Sequence, residues 1–296
     1  MERAGERYRG TQAIGVVVPG QQEPRELVIV ALDRWENAVI LRGTATVDRD
    51  DPFWLPGTWE LTSDAGTEHR GGGGGTSIGW LEQFEPPLPP SARALRVRLG
   101  PDNERFGPRR ALDDSRVVDV ALPAEPPTIQ RAPATFDPAA EPRMFTGRRP
   151  SLEGASVRPD AIVAVGAQLD DPDDPDDPDD PDDPGGRDVA VTSIERFPAW
   201  FLLHLAGTGG LVVKATTADR RPPGRFGKLW TAEDDRGNRY EGALRSSHSG
   251  FPWLVTAGLT PALDPAATEL VLAFPNLFGP GIVRTRFALP PGQPVR

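Results

Sequence analysis

The chain predicts an all-β protein made of two tandem antiparallel β-sandwiches that arose by internal duplication. Three observations carry this. Among 296 residues there are 32 glycines and 34 prolines, a content that disfavours long helices and suits many short strands joined by turns. The apolar residues fall in short runs, several alternating with polar residues at a period of two. The pattern of the first half then returns, in order, in the second.

Charge and composition exclude several classes. The formal net charge of -10 comes from 43 acidic and 33 basic residues. Ten of the acids lie in one run, Asp170 to Pro184, so the rest of the chain is neutral overall. Lys214 and Lys228 are the two lysines, and the other cations are arginines without a clustered basic face, so no nucleic-acid footprint is expected. Cysteine is absent, which removes disulfides, thiolate metal sites and cysteine nucleophiles. The charged start Met1-Glu2-Arg3 lacks the apolar core of a secretory signal, and no run approaches 18 apolar residues. A soluble, cytoplasmic protein without membrane contact is the expectation.

In order, Ala13 to Val18 reads as a strand closed by Pro19-Gly20. Leu27 to Leu32 and Ala38 to Leu41 form two consecutive strands with Trp35 between them. Trp59 to Thr62 alternates, and Asp64-Ala65-Gly66 supplies a hairpin turn. The glycines Gly71 to Gly75 read as a flexible hairpin loop, followed by a strand with Trp80, Leu81 and Phe84. Leu95, Val97 and Leu99 face one way with Arg96 and Arg98 opposite, as in a half-buried antiparallel strand. Val118 and Val120 make the last strand before Leu122-Pro123.

The echoes follow. Ala161 to Gly166 repeats Ala13 to Val18, and Ile194 to Leu203 repeats Leu32 to Leu41. Trp230, Asp235, Gly237 and Tyr240 repeat Trp59, Asp64, Gly66 and His69 at a constant offset. Pro261, Leu263 and Pro265 repeat Pro86, Leu88 and Pro90. This places a first sandwich at 12–123, a Pro-rich linker at 124–157, and a second sandwich at 158–291 with the acidic run 170–184 inserted in it. Each unit holds about seven short strands.

An immunoglobulin-like sandwich is the leading arrangement and a jelly roll the alternative. The hairpin Trp230 to Tyr240, with Gly237 at its turn, resembles one found in tandem bacterial immunoglobulin-like modules of unassigned function. The first unit departs from it in carrying His69 where the second carries Tyr240. The resemblance implies a β-sandwich and assigns no activity or site.

No catalytic constellation survives inspection. Gly75-Thr76-Ser77-Ile78-Gly79 matches a nucleophile elbow in letters, but glycines precede it and a Trp-bearing strand follows, without the helix that motif needs. The histidines His69, His204 and His248 have no partner at zinc-ligand spacing. His204 reads as a strand-edge or solvent-face residue, and His69 and His248 as loop residues. The carboxylate pairs Asp113-Asp114 and Asp234-Asp235 read as turn acids that bond their own backbone. Trp35, Trp59, Trp200 and Trp230 belong to a repeated core. Trp54, Trp80 and Trp253 are the candidates for an exposed binding surface. No cofactor or metal is implied.

The functional expectation is a non-catalytic scaffold or protein-binding module. The alternative is a carbohydrate-binding or hydrolytic protein with a loop-borne site. The distinctive handle is Asp170, Asp171, Asp173, Asp174, Asp176, Asp177, Asp179, Asp180, Asp182 and Asp183, with proline at every third position. That spacing favours an extended, mobile polyproline II loop, whose like-facing Asp side chains recur about every 9 Å at ~3.1 Å per residue. A tight preformed calcium site, with bonds of ~2.3–2.6 Å, is disfavoured by that spacing, and diffuse counterion attraction, solubility or capture of a basic protein partner fit better.

Overall fold

A computed structural model describes residues 7–18, 27–45, 59–76, 79–99, 117–122, 127–147, 158–170, 189–208, 227–248 and 252–296. Among them there is no helix, and the chain is all-β. It divides into an N-terminal unit of Arg9–Thr128, Leu152–Ile162 and Gln293–Arg296, and a C-terminal unit centred on Ile129–Ser151 and Val163–Gly292. Of the stretch read as a linker, the described residues 130–137 form strands of the C-terminal unit.

The N-terminal unit carries β1 (Tyr8–Val17), β2 (Leu27–Trp35), β3 (Val39–Ala45), β4 (Trp59–Ser63), β5 (Glu68–Thr76), β6 (Gly79–Glu85), β7 (Ala94–Leu99) and β8 (Val117–Ala121), ordered β1-β2-β3-β6-β5-β4-β7-β8. After β9 (Gln130–Ala132) and β10 (Ala134–Asp137) come β11 (Ala161–Leu169), β12 (Val189–Arg196), β13 (Phe201–Gly207), β14 (Leu229–Asp234), β15 (Arg239–His248), β16 (Trp253–Thr260), β17 (Glu269–Pro275) and β18 (Ile282–Ala288). Their order is β11-β12-β13-β16-β15-β14-β17-β18, strand for strand that of the first sheet. The segment holding β9 and β10 lies along both ends of the second sheet, β9 parallel to β11 and β10 antiparallel to β18. A short last strand, β19 (Gln293–Pro294), pairs with Ala161 and Ile162 in the N-terminal unit.

This order is not that of an immunoglobulin sandwich, whose second and third strands lie in different sheets. Here β2 pairs with β3, and β12 with β13. The connections explain it. Trp35 N donates to Ala38 O, and Phe197 N to Trp200 O, both at 2.9 Å. Turns that tight leave no chain to cross the roughly 10 Å to a facing sheet.

Local features recur at matching places. A bulge interrupts β2 between Ile29 and Ala31, and β12 between Val191 and Ser193. It turns Asp33 and Glu195 to the outer face while Leu32 and Ile194 stay inward. Gly66 and Gly237 close the β4–β5 and β14–β15 turns at φ of 77° and 81°, a conformation glycine adopts freely. The peptide bonds before Pro86 and Pro261 are both cis.

Each core is the inward-facing set of alternate residues. Leu27, Ile29, Leu41, Leu61, Phe84, Leu95 and Val97 fill the N-terminal unit. Val191, Phe201, Leu203, Trp230, Tyr240, Leu272 and Phe287 fill the C-terminal one. Trp35, Trp200 and Trp230 are buried as a repeated core requires.

The glycine run departs from expectation. Gly71 to Gly75 lie inside β5, paired in register with Phe84 to Trp80 of β6. A ladder needs only backbone N–H and C=O groups, which glycine supplies as any residue does. Strand propensity is too context-dependent to forbid it, and the low-propensity run hid one strand in the N-terminal unit's tally.

Candidate functional site

The polar groups of interest fall in three clusters, one on the outer face of each sheet and one at the β14–β15 hairpin. In the N-terminal unit, Asp33 on β2 is fully buried. Arg42 on β3 grips it as a fork, Nε to Oδ2 at 2.7 Å and Nη2 to Oδ1 at 3.0 Å, and Thr11 on β1 donates to Oδ1 at 2.6 Å. A planar guanidinium is the cation suited to such a bidentate buried pair.

The C-terminal unit keeps the positions and changes the chemistry. Glu195 stands where Asp33 does relative to the bulge, and His204 where Arg42 does. His204 Nε2 lies 2.8 Å from Glu195 Oε1, and its Nδ1 lies 3.0 Å from Thr256 Oγ1. Carboxylate, imidazole and hydroxyl in this sequence are the parts of a nucleophilic relay. All three side chains are buried, however. Arginine at the matching place cannot act as a base, so what the two units share is a buried contact between a carboxylate and a nitrogen base on neighbouring strands, not a proton path. His204 sits in a central strand, not at an edge or on a solvated face.

The third cluster is centred on Asp234. Its Oδ1 accepts from Arg236 N and Asn238 N at 3.0 and 2.9 Å, and its Oδ2 accepts from Asn238 Nδ2 at 2.9 Å and Tyr240 Oη at 2.6 Å. Tyr240 Oη in turn accepts from Asp264 N at 3.2 Å. Burial alone would raise the Asp234 carboxyl, but the donors from Tyr240, Asn238 and Arg236 outweigh it and hold it below the ordinary range. Tyr240 is pushed up to about 12, first by burial and then by its bond to Asp234. Next to it, Asp235 accepts from Thr268 N at 3.0 Å and Oγ1 at 2.7 Å. Asp64 plays that part in the N-terminal unit, accepting from Arg93 N at 3.0 Å. These are turn acids tying a hairpin to the next strand. Replacing Asp234 with alanine strands several donors and is expected to cost the C-terminal unit about 2–3 kcal/mol in urea unfolding. Tyr240→Phe is expected to cost about 1 kcal/mol. Because Asp234 is lowered in the folded state, its contribution is present above the ordinary carboxylate range and is lost as pH falls through its folded value.

Inside the N-terminal unit lies a fourth ionisable group, Glu82. It pairs with Leu41 of β3 and Gly73 of β5, and shares the inward face with Phe84. Burial raises its carboxyl to about 7. The matching C-terminal pair is Ala257 with Leu244. A large residue on one strand and a small one on its neighbour have changed places, so Glu82 lies opposite a glycine where Ala257 lies opposite a leucine.

The sequence-predicted residues fare unevenly. Trp253 is only 1% exposed; its Nε1 donates to Thr208 O at 2.9 Å and its ring meets Phe278 edge-on. It is therefore a core residue and not an exposed surface, because its strand β16 is central and this face turns inward. Trp54, and Trp80 beyond its backbone place in β6, lie outside the described residues, as do Ser77 and the pair Asp113-Asp114. His69 is in β5, not a loop, and is buried with Nδ1 2.6 Å from Pro86 O. His248 ends β15. Of the acidic run, Asp170 is exposed at the end of β11; its N donates to Ala132 O at 3.0 Å and its carboxylate lies 3.7 Å from Arg131. Asp171 to Asp183 lie outside the described residues. Sequence reasoning missed the Asp33–Arg42 and Glu195–His204 pairs. Their signal was an acid and a base nine residues apart in both halves of one echo. It missed Glu82 because period two alone does not say which face is inward where Leu81 and Phe84 flank it.

Among the described residues no group of three or more His, Asp or Glu is placed to hold a metal ion, and no helix is long and apolar enough to cross a membrane. No family model matches the chain, and no curated protein does. Among solved structures a match is "The crystal structure of the conserved domain protein from Bacillus anthracis", 10% identical, covering 89% of this chain and 76% of that one at a TM-score of 0.23. A likeness at that score carries no argument.

Proposed function

We propose that the chain is a non-catalytic, tandem protein-binding module formed by duplication of one β-sheet unit, with the acidic run as its contact for a basic partner. The observation that carries the reading is the use made of the ionisable clusters. Asp33, Glu195, Asp64, Asp234 and Asp235 all hold strands or hairpins at places matched between the two units. Groups so committed are framework, and they leave the run that starts at Asp170 as the concentrated charge with no counterpart in the other unit.

The run falls between β11 and β12, neighbours in the sheet whose counterparts β1 and β2 are joined by a much shorter connection. An insertion there adds charge without altering the strand order, since loop closure cost grows only slowly with length. The test is titration of an arginine-rich peptide into the full chain and into a variant lacking Asp171 to Pro184. The full chain should bind with an affinity that falls steeply as salt rises, and the deletion should abolish binding while leaving the thermal transition within a few degrees. Equal binding by both chains would rule out the acidic run as the contact. A large loss of thermal stability on deletion would make the run part of the framework.

A further inference from the structure

Strands β8 and β18 hold the same place in their sheets, but among the described residues only β18 has a strand beyond it. There β10 runs antiparallel, Ala134 opposite Thr285 and Asp137 opposite Ile282. Gln130 extends the cover with its side chain. Its Nε2 donates to Ala288 O at 3.0 Å, and Ala288 N donates to its Oε1 at 2.9 Å. Both backbone groups of Ala288 therefore point off the sheet edge.

The same direction transfers to β8. Leu289 N donates to Thr268 O, and Leu122 N to Arg93 O, each at 2.7 Å, so Ala121 stands where Ala288 stands. The N–H and C=O groups of Ala121 point off the edge, and by the two-residue period so do those of Asp119 and Val117. Val118 and Val120 are buried inward, as Thr285 and Phe287 are. Val117 to Ala121 contains no lysine or proline, the residues that commonly blunt an exposed edge. An edge of β-branched residues with its hydrogen-bonding groups directed outward is a template for another strand.

We propose that the β8 edge is a strand-addition site. Its occupant is an extended, antiparallel segment of a partner protein with the chemistry of Gln130–Thr135: a glutamine, three residues, then a small residue and a threonine. The C-terminal unit supplies the template because it satisfies its own matching edge with that segment. The glutamine side chain would take Ala121 as Gln130 takes Ala288, and the strand would take the outward groups nearer Val117.

A synthetic peptide of the sequence Ile129 to Pro138, added to the full chain, tests this by amide hydrogen exchange. Exchange across Val117–Ala121 is expected to slow about tenfold or more at saturation, with β18 unchanged. Val117→Pro removes the outward N–H that matches Arg284, the residue opposite Thr135, and leaves the ladder to β7, and it should abolish that protection. If this variant loses its thermal transition, peptides N-methylated on alternate amides replace it: one set should still protect β8 and the other should not. No protection at β8, protection at β18 alone through exchange with β10, or equal action by both methylated sets would overturn the proposal.

Discussion

Replacing Asp33 by alanine is expected to destabilise the N-terminal unit by about 3–5 kcal/mol, because it leaves Arg42 buried without its carboxylate. Arginine cannot discharge at any pH the fold survives, so the cost has no relief. Thr11 loses its acceptor as well. The matching change, Glu195→Ala, is expected to cost less, about 1–3 kcal/mol, since His204 can stay neutral and keeps Thr256. Urea unfolding followed by hydrogen exchange, which assigns each loss to its own unit, makes the comparison. Equal costs in the two units would contradict the expectation, because they would mean that a fixed charge and a dischargeable base are equivalent in these pairs.

A second large effect is expected at Glu82. Its folded pKa, about 7, is above the unfolded value near 4.3, so the folded state binds the extra proton. The stability it allows is fully present below about pH 4.3 and is lost as pH rises through about 7. The shift corresponds to about 4 kcal/mol, reduced to about 2 kcal/mol because the side chain is partly exposed. Glu82→Gln should remove most of this pH dependence. Restoring the arrangement of the other unit, with Gly73→Leu and Glu82→Ala together, should raise stability at pH 8, while Gly73→Leu alone should overpack and lower it. A single change that stabilises as much as the pair would mean that the two positions do not share space.

What was legible in the sequence was what depends on period and turn chemistry. The alternation of Leu95, Val97 and Arg96, the Asp64-Ala65-Gly66 turn, and the return of that hairpin at Asp235 and Gly237 all stand as read. Asp234 does bond its own hairpin, whereas Asp235 reaches out of it to Thr268 at the start of the next strand. What stayed hidden depends on pairing across the chain. The immunoglobulin reading failed because alternation says that a strand has an inward face, not which strand lies beside it. The tight turns at Trp35 and Phe197 hold that information. Trp253 reads as a surface residue in the sequence because a repeat with no aromatic counterpart suggests freedom from the core, whereas its ring is buried edge-on against Phe278. Gly71 to Gly75 mislead because composition speaks for the side chain and a ladder is made by the backbone.

Beneath these expectations lies one strand order in one register, shared by the two units. The chain has no cysteine, so introduced pairs can be read without background. Strands β4 and β7 are neighbours that no hairpin joins, with Glu60 opposite Arg98, and in the other unit Thr231 of β14 lies opposite Ala273 of β17. Cysteines at Glu60 and Arg98, and separately at Thr231 and Ala273, should each be joined by a short bifunctional thiol cross-linker, since paired positions of this kind bring Cβ atoms to about 4.5–5.5 Å, beyond the ~3.5–4.5 Å of a direct disulfide. Cross-linking in one unit but not in the other would contradict the shared order.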